Sequence, residues 1–586
     1  MKKLIFNGLF LTTIGISIIS CKKDKLLPIN NNSSTPTESQ IPVKSESVTI
    51  LGDKLENPYT VENMQLAFNQ LTSDKNQNET LEKTDLYVRF LPKNSSELKI
   101  LVEDLELDLW DTPVEYEVKE YGAYYHDPSL PSDNYTWQYT TVKPDFQFPN
   151  IKYEIIDELF LPENSKQSNI SNLVNIEELE FTALKITNNL EKGEVFGTKA
   201  QKWNPQGYIR VENYINQQTI SGPIAINNIV PVKNVKVRAQ RWFHIASAWT
   251  NDNGYFFIDS KYRKNCEIKV IFKNNNVKIR AIRGFNVQQM SHVVRKLIGE
   301  FDYSDIANVD YTFFNTPDLE TEEKAQWVAC QTINSMREFE NYSNEDGLPA
   351  PLENMNVWLT TKITSDAASP MIHKIGTTPL MFTIVELYLI SSGNPLFAAV
   401  YPILLDFSPD ITFDYDRKYD ALTSDLIANT LYHEFTHSTH YKKVGNSYWL
   451  PYIGYIVSNL GYGDGTASGA GRIEVSETWA ETIGDIYTDR RYTITSIGTA
   501  YTKNMEKYPY YDWMAQGIMY DMVDNDNYWD TYYGYVDNVN QYTLINCYNA
   551  MDNDVLSLVD FKNRILLETN NLQQTEVNDL FTSYGF

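Results

Sequence analysis

Residues 431–440 read LYHEFTHSTH, and three of the chain's seven histidines fall inside that stretch. The surrounding segment 424–445, SDLIANTLYHEFTHSTHYKKVG, carries a full set of helix signals. Ser424 can cap the start, and Asp425 favours the first turn. Lys442 and Lys443 favour the last turn, and Gly445 can close the end. On such a helix His433 and His437 stand one turn apart on one face. Two imidazoles so placed can reach one ion at about 2.0–2.1 Å each. Glu434, next to the first of them, is placed to act as general base on a metal-activated water. The pattern should arise by chance in fewer than about one chain in a hundred of this composition.

His440 invites a three-histidine count, but it would lie about 10 Å along the axis from His433, too far to share the ion. It is left as a neighbour of the ligands or a surface residue. The third ligand must then come from elsewhere. The stretch 471–490, GRIEVSETWAETIGDIYTDR, reads as a second helix. Trp479, Ile483, Ile486 and Tyr487 form its apolar face. Glu474, Glu477 and Glu481 form a row on the other side, which by pattern alone is often just a solvated face.

The motif His433-Glu434-x-x-His437 resembles that of zincin metallopeptidases. The metzincin variant, with a glycine and a third histidine downstream, does not fit, because His440 and Lys443 occupy those positions. The stretch SETWAE resembles the E-G-x-A segment of gluzincins, in which the first glutamate binds zinc. That resemblance implies a Zn2+ site of His433, His437 and Glu477, with Glu434 as catalytic base. Thr478 stands where the glycine is usual, so Glu474 and Glu481 remain open as ligands. Glu481 and Asp485 are candidates to orient a ligand histidine from behind. An oxyanion donor is also expected, with tyrosines 501, 508, 510, 511 and 520 undistinguished among themselves. PILLDFSPDITFDY (402–415) is either the edge strand that seats a peptide substrate or a strand of the core.

Outward from this site, the chain of 586 residues implies several domains of a multidomain α+β protein. Residues 283–586 form the zincin-like, mainly helical C-terminal domain. Within them VQQMSHVVRKLIGEF (287–301) and EEKAQWVACQTINSMREFENY (322–342) have helical spacing, and NVWLTT (356–361) reads as a strand. Residues 205–282 contain short β-rich runs separated by turn signals, among them TNDNGYFFID (250–259). With VPVKNVKVRA (230–239) upstream, this part resembles a carboxypeptidase-regulatory-like module, a transthyretin/Ig-like β-sandwich without chemistry of its own. Residues 50–204 suggest an N-terminal α+β region. It has helical spacing at 57–71 and 172–186 and strand-like runs at 85–92, 115–125 and 135–142.

Residues 1–20 combine Lys2 and Lys3 with an apolar run from Leu4 to Ile19 that is short for a membrane span. The run ends in IISC, which resembles a bacterial lipobox, with Ile18 where leucine is usual. The resemblance implies cleavage before Cys21, its acylation, and anchorage to a lipid bilayer of the bacterial cell envelope, the outer membrane being favoured. Polar residues 21–49 then act as a tether. With Cys21 lipidated, Cys266, Cys330 and Cys547 read as buried thiols rather than a disulfide framework. A net charge of −26 argues against a nucleic-acid partner. The expected function is an envelope-anchored zinc peptidase acting on peptide or protein substrates. The alternative is a catalytically idle relative that binds glycan or protein at the cell surface. A glycosidase lacks a distinctive carboxylate pair.

Overall fold

The computed structural model describes residues 48–586 except 74–78, 105–106, 123, 132–133, 166, 168–169, 191–195, 197–200, 220–221, 284–289, 362–366, 377–405, 417–421, 460, 493–500 and 526–527. The signal-like segment and Cys21 lie outside the described residues. The chain is mixed α+β, with its sheets in the N-terminal two-thirds and mostly helices after residue 424. Among the described residues no helix is long and apolar enough to cross a membrane.

The N-terminal part centres on a three-stranded antiparallel sheet in which Asp85–Leu91 lies between Gln138–Val142 and Lys152–Leu159. Two helices, Val61–Thr72 and Ile176–Ile186, pack beside it through Met64, Phe68, Leu179 and Ala183. Thr60 and Asn175 cap their first turns, each accepting a bond from a backbone N–H in that turn.

Two further sheets follow. In one, Gln206–Thr219 pairs with Gly222–Pro231, Tyr255–Phe257 and Val309–Phe313. In the other the order is Arg295–Phe301, Cys266–Ile271, Lys236–Arg241, His244–Trp249. Their inward residues, including Ile209, Val211, Val237, Ala239, Phe256, Ile268 and Val270, share one buried core with the C-terminal helices. The turn at 251–254 is tight, as its sequence predicts. Asn251 Oδ1 accepts from the N–H groups of Asn253 (2.9 Å) and Tyr255 (3.0 Å). It does not join paired neighbours, however: the strands on its two sides belong to different sheets.

The helix expected over 287–301 is corrected. Residues 287–289 lie outside the described residues, and Arg295–Phe301 is a strand. It pairs antiparallel with Cys266–Ile271, with a register shift at Ile268/Lys269. The apolar spacing fits a helix, but an open strand edge was waiting for a partner. Ladder pairing there outweighs the weak helical preference of this short run.

A fourth sheet carries the site. Val277–Ile282, Met355–Thr360 and Ile411–Asp414 run parallel, and the short strand Ala367–Ala368 closes the end antiparallel. All four residues of Ile411–Asp414 are buried. Of the two expectations for 402–415, the described part is therefore an inner strand, and Ala367–Ala368 forms the edge. Residues 402–405 lie outside the described residues.

Three long helices pack against one another, Glu322–Glu345, Ser424–Asn459 and Ala470–Tyr492, the first two of them also against this sheet. Glu338 ties them together. It accepts a hydrogen bond from Tyr432 Oη (3.1 Å) and pairs with Arg491 Nε (2.8 Å) and Lys233 Nζ (2.9 Å). Cys266, Cys330 and Cys547 are free buried thiols.

Candidate metal centre

The helix Ser424–Asn459 begins one residue earlier in its capping chemistry than the sequence suggests. Thr423 Oγ1 accepts the N–H of Leu426 (3.4 Å), whereas Ser424 Oγ accepts the N–H of Tyr214 (2.9 Å) and so ties the helix start to the neighbouring sheet. At Gly445 the helix breaks, with φ 65° and ψ −168°. A side chain there would be strained by the backbone alone, since no atom crowds its Cβ position. The expected helix end is thus present, but the chain resumes a helix as far as Asn459. That second limb brings Tyr452 back over the histidines.

The second helix, Ala470–Tyr492, lies against the first. At Gly484 a Cβ would come 3.3 Å from Asn429 O and 3.4 Å from His433 N and Cβ, so the absent side chain permits the close approach. The row of acids is not a solvated face. Glu474 and Glu477 are buried, and Glu477 points between the two histidines.

His433 Nε2 and His437 Nε2 are 3.1 Å apart. Glu477 Oε2 is 3.2 Å from His433 Nε2, and Glu477 Oε1 is 3.4 Å from His437 Nε2. Four donors held tetrahedrally at about 2.0–2.1 Å from an ion stand about 3.3 Å from each other. The two nitrogens and the Glu477 carboxylate, one ligand atom from each residue, all lie within 4.8 Å of one another, close enough to serve one ion. This buried group could hold a metal ion.

Electrostatics agree with that fit. Burial alone would push the Glu477 carboxyl up, but the two imidazoles outweigh it and hold it well below the usual carboxylate range. For His433, burial opposes the charged imidazole, yet Glu477 and Glu481 raise it to about 10.

The surrounding residues fix the donors. Tyr452 Oη donates to Glu477 Oε1, and Tyr462 Oη donates to Oε2 at 2.9 Å. His433 Nδ1 is 3.2 Å from Glu481 Oε2, the arrangement that sets a ligand histidine's tautomer and ring angle. Asp485 lies one turn further on and accepts from Asn429 Nδ2 (2.7 Å), bracing the two helices. Behind His437, Ser476 Oγ lies 3.4 Å from His437 Nδ1 and 3.1 Å from His440 Nδ1. His440 is therefore buried behind the ligands and not at the surface. Burial, with His437 and Lys443 nearby, lowers its imidazole to about 3 and keeps it neutral.

Glu434 is fully buried on the same turn as His433. Its Oε2 accepts from Ser369 Oγ (2.7 Å), and its Oε1 has no hydrogen-bond partner among the described residues. Of the tyrosines expected to supply an oxyanion donor, Tyr501 donates to Asp425 Oδ2 (2.9 Å) and Tyr510 to Tyr584 O (2.6 Å). The hydroxyls that reach the donor cluster are those of Tyr452 and Tyr462, which no motif marks.

Glu474 turns away from the cluster and accepts the N–H of Ala515 at 3.1 Å. Burial pushes its carboxyl from an ordinary 4.5 to about 7, so the folded protein holds this proton more tightly than the unfolded chain does. The stability this gives is complete below about pH 4.5 and is lost as pH rises through 7. Glu474→Gln keeps an acceptor for Ala515 without the charge. It should be about 1–3 kcal/mol more stable than wild type at pH 8 and nearly equal to it at pH 4. Denaturant unfolding at the two pH values measures the difference; an equal or larger gain at pH 4 would remove burial of charge as the cause.

No protein-family model matches this chain, and no curated protein matches it.

Proposed function

We propose that the protein is a zinc-dependent peptidase of gluzincin type, anchored to the bacterial cell envelope through an acylated Cys21. The observation that carries the peptidase reading is the convergence of His433 Nε2, His437 Nε2 and the Glu477 carboxylate on one point, with Glu434 buried on the adjoining turn. Two nitrogens and one carboxylate with an open fourth position are the donor set of catalytic rather than structural zinc. The lipoprotein reading is supported by the sequence of residues 1–21.

Zinc bound to these three residues would supply Lewis acidity, lowering the pKa of a water toward neutrality and polarising the scissile carbonyl. The chain's own residues do the rest. His433 and His437 are held in ligand orientation by Glu481 and by Ser476. Glu434 Oε1, which has no hydrogen-bond partner among the described residues, takes the proton of the attacking water and returns it to the leaving amine. Tyr452 and Tyr462 keep Glu477 in place.

The test is metal content and hydrolysis measured on the same preparation. Purified protein should contain one zinc per chain and cleave members of a broad peptide library, and chelation should stop cleavage. Zinc-loaded protein that hydrolyses nothing would favour the binding lipoprotein with an idle site. Protein that takes up no metal would end the zinc reading altogether.

A further inference from the structure

Ser369 follows directly on the edge strand Ala367–Ala368, whose register is fixed by pairing with Thr412 and Phe413. Its side chain is buried, and its hydroxyl stands between two oxygens of one residue. Ser369 Oγ is 2.7 Å from Glu434 Oε2 and 2.9 Å from the Glu434 backbone oxygen. The hydroxyl has one proton, and a carboxylate is the stronger acceptor, so the bond to Oε2 is the charge-assisted one.

The two carboxylate oxygens are therefore unequal. Oε2 is tied to the end of the sheet, while Oε1 is buried without a hydrogen bond from any described residue. A buried carboxylate oxygen left unpaired is costly, about 1–3 kcal/mol or more, and persists in a folded protein where some group supplies a donor in use. The terminal torsion of a glutamate is broad and roughly two-fold. Without a tether the carboxylate plane would wander and the two oxygens would exchange.

We infer that Ser369 is a positioning residue for Glu434: it commits Oε2 to the edge strand and leaves Oε1 as the single oxygen that meets the attacking water. The inference rests on the peptidase reading above. It ties the aim of the base to the end of the sheet, whose register is fixed by pairing with Thr412 and Phe413.

The experiment compares wild type, Ser369→Ala and Ser369→Thr for kcat, KM, zinc content and Tm, using a peptide that the wild type cleaves. Ser369→Ala should lower kcat about 10- to 100-fold, with KM within about twofold of wild type and zinc still at one per chain. Ser369→Thr, which keeps the hydroxyl, should recover kcat to within about threefold. An unchanged kcat in Ser369→Ala overturns the inference, and so does a loss carried by KM. Should the alanine variant lose zinc or Tm, Ser369→Thr decides: kcat near wild type supports the tether, and a loss equal to that of alanine overturns it. A wild type that cleaves nothing removes the peptidase reading and this inference with it. A cleaving wild type matched by Ser369→Ala removes the inference alone.

Discussion

Glu434→Gln should keep its metal and lose about 10²–10⁴-fold in kcat. The substitution preserves shape, and the side chain contributes no atom to the donor triangle of His433, His437 and Glu477. An amide in the same place still bonds to Ser369 but has no basicity with which to take a proton from water. The loss should fall on kcat, since in the proposed mechanism the carboxylate acts in the reaction step rather than in holding the peptide. Metal analysis and steady-state kinetics on one sample check both halves. Hydrolysis close to wild type would assign the base to another residue; loss of metal would mean that burial of Glu434 supports the ligand helix itself.

Glu477→Ala should abolish stable metal binding. One of its oxygens is 3.2 Å from His433 Nε2 and the other 3.4 Å from His437 Nε2. Its removal leaves two neutral ligands at best and strands the Tyr452 and Tyr462 hydroxyls that now donate to it. Glu481→Ala should weaken the metal about 10–100-fold, because it loosens His433 without removing a donor. Glu474→Ala should leave metal content unchanged, its carboxylate being turned to Ala515. Metal stoichiometry by elemental analysis after dialysis separates the three. Full retention in Glu477→Ala would refute the ligand assignment.

The part of this site legible in the sequence is the part carried by local spacing. His433, Glu434 and His437 are fixed by one helical turn, and Gly445 marks the break of that helix. Glu477 could be singled out because its neighbours in SETWAE carry a pattern of their own. Glu481 follows from it by one further turn. Residues that reach the site through tertiary contact leave no such trace. Ser369 comes from a two-residue strand 65 positions upstream of Glu434. Tyr452 and Tyr462 arrive because the chain folds back beyond Gly445, and nothing sets them apart among 40 tyrosines. Ser476 was in plain view beside Glu477, but a serine inside a helix is ordinarily a neutral choice, and its bonds to His437 and His440 exist only when two helices pack.

The same division holds for the fold. Elements with strong periodicity, such as Glu322–Glu345, stand where the sequence puts them. Arg295–Phe301 does not, because the partner that makes it a strand lies some thirty residues away in the chain. The acidic row of Ala470–Tyr492 looks like a wet face by pattern and is dry because a second helix covers it. Polarity patterns report the average neighbour, and a buried metal site is where that average fails.

The strand Val277–Ile282 has a consequence for how this protein can be cut and recombined. It enters directly from the sheets that precede it, yet pairs over six residues with Met355–Thr360 in the sheet that supports the metal centre. A fragment begun at residue 283 would lack it. It would present the bare, apolar flank of Met355–Thr360 to solvent, the kind of open ladder that recruits other chains. The half that bears the candidate metal centre is therefore not expected to stand as a self-sufficient cassette cut at that point. The preceding β-rich part is bound to travel with it, as a splint rather than a passenger.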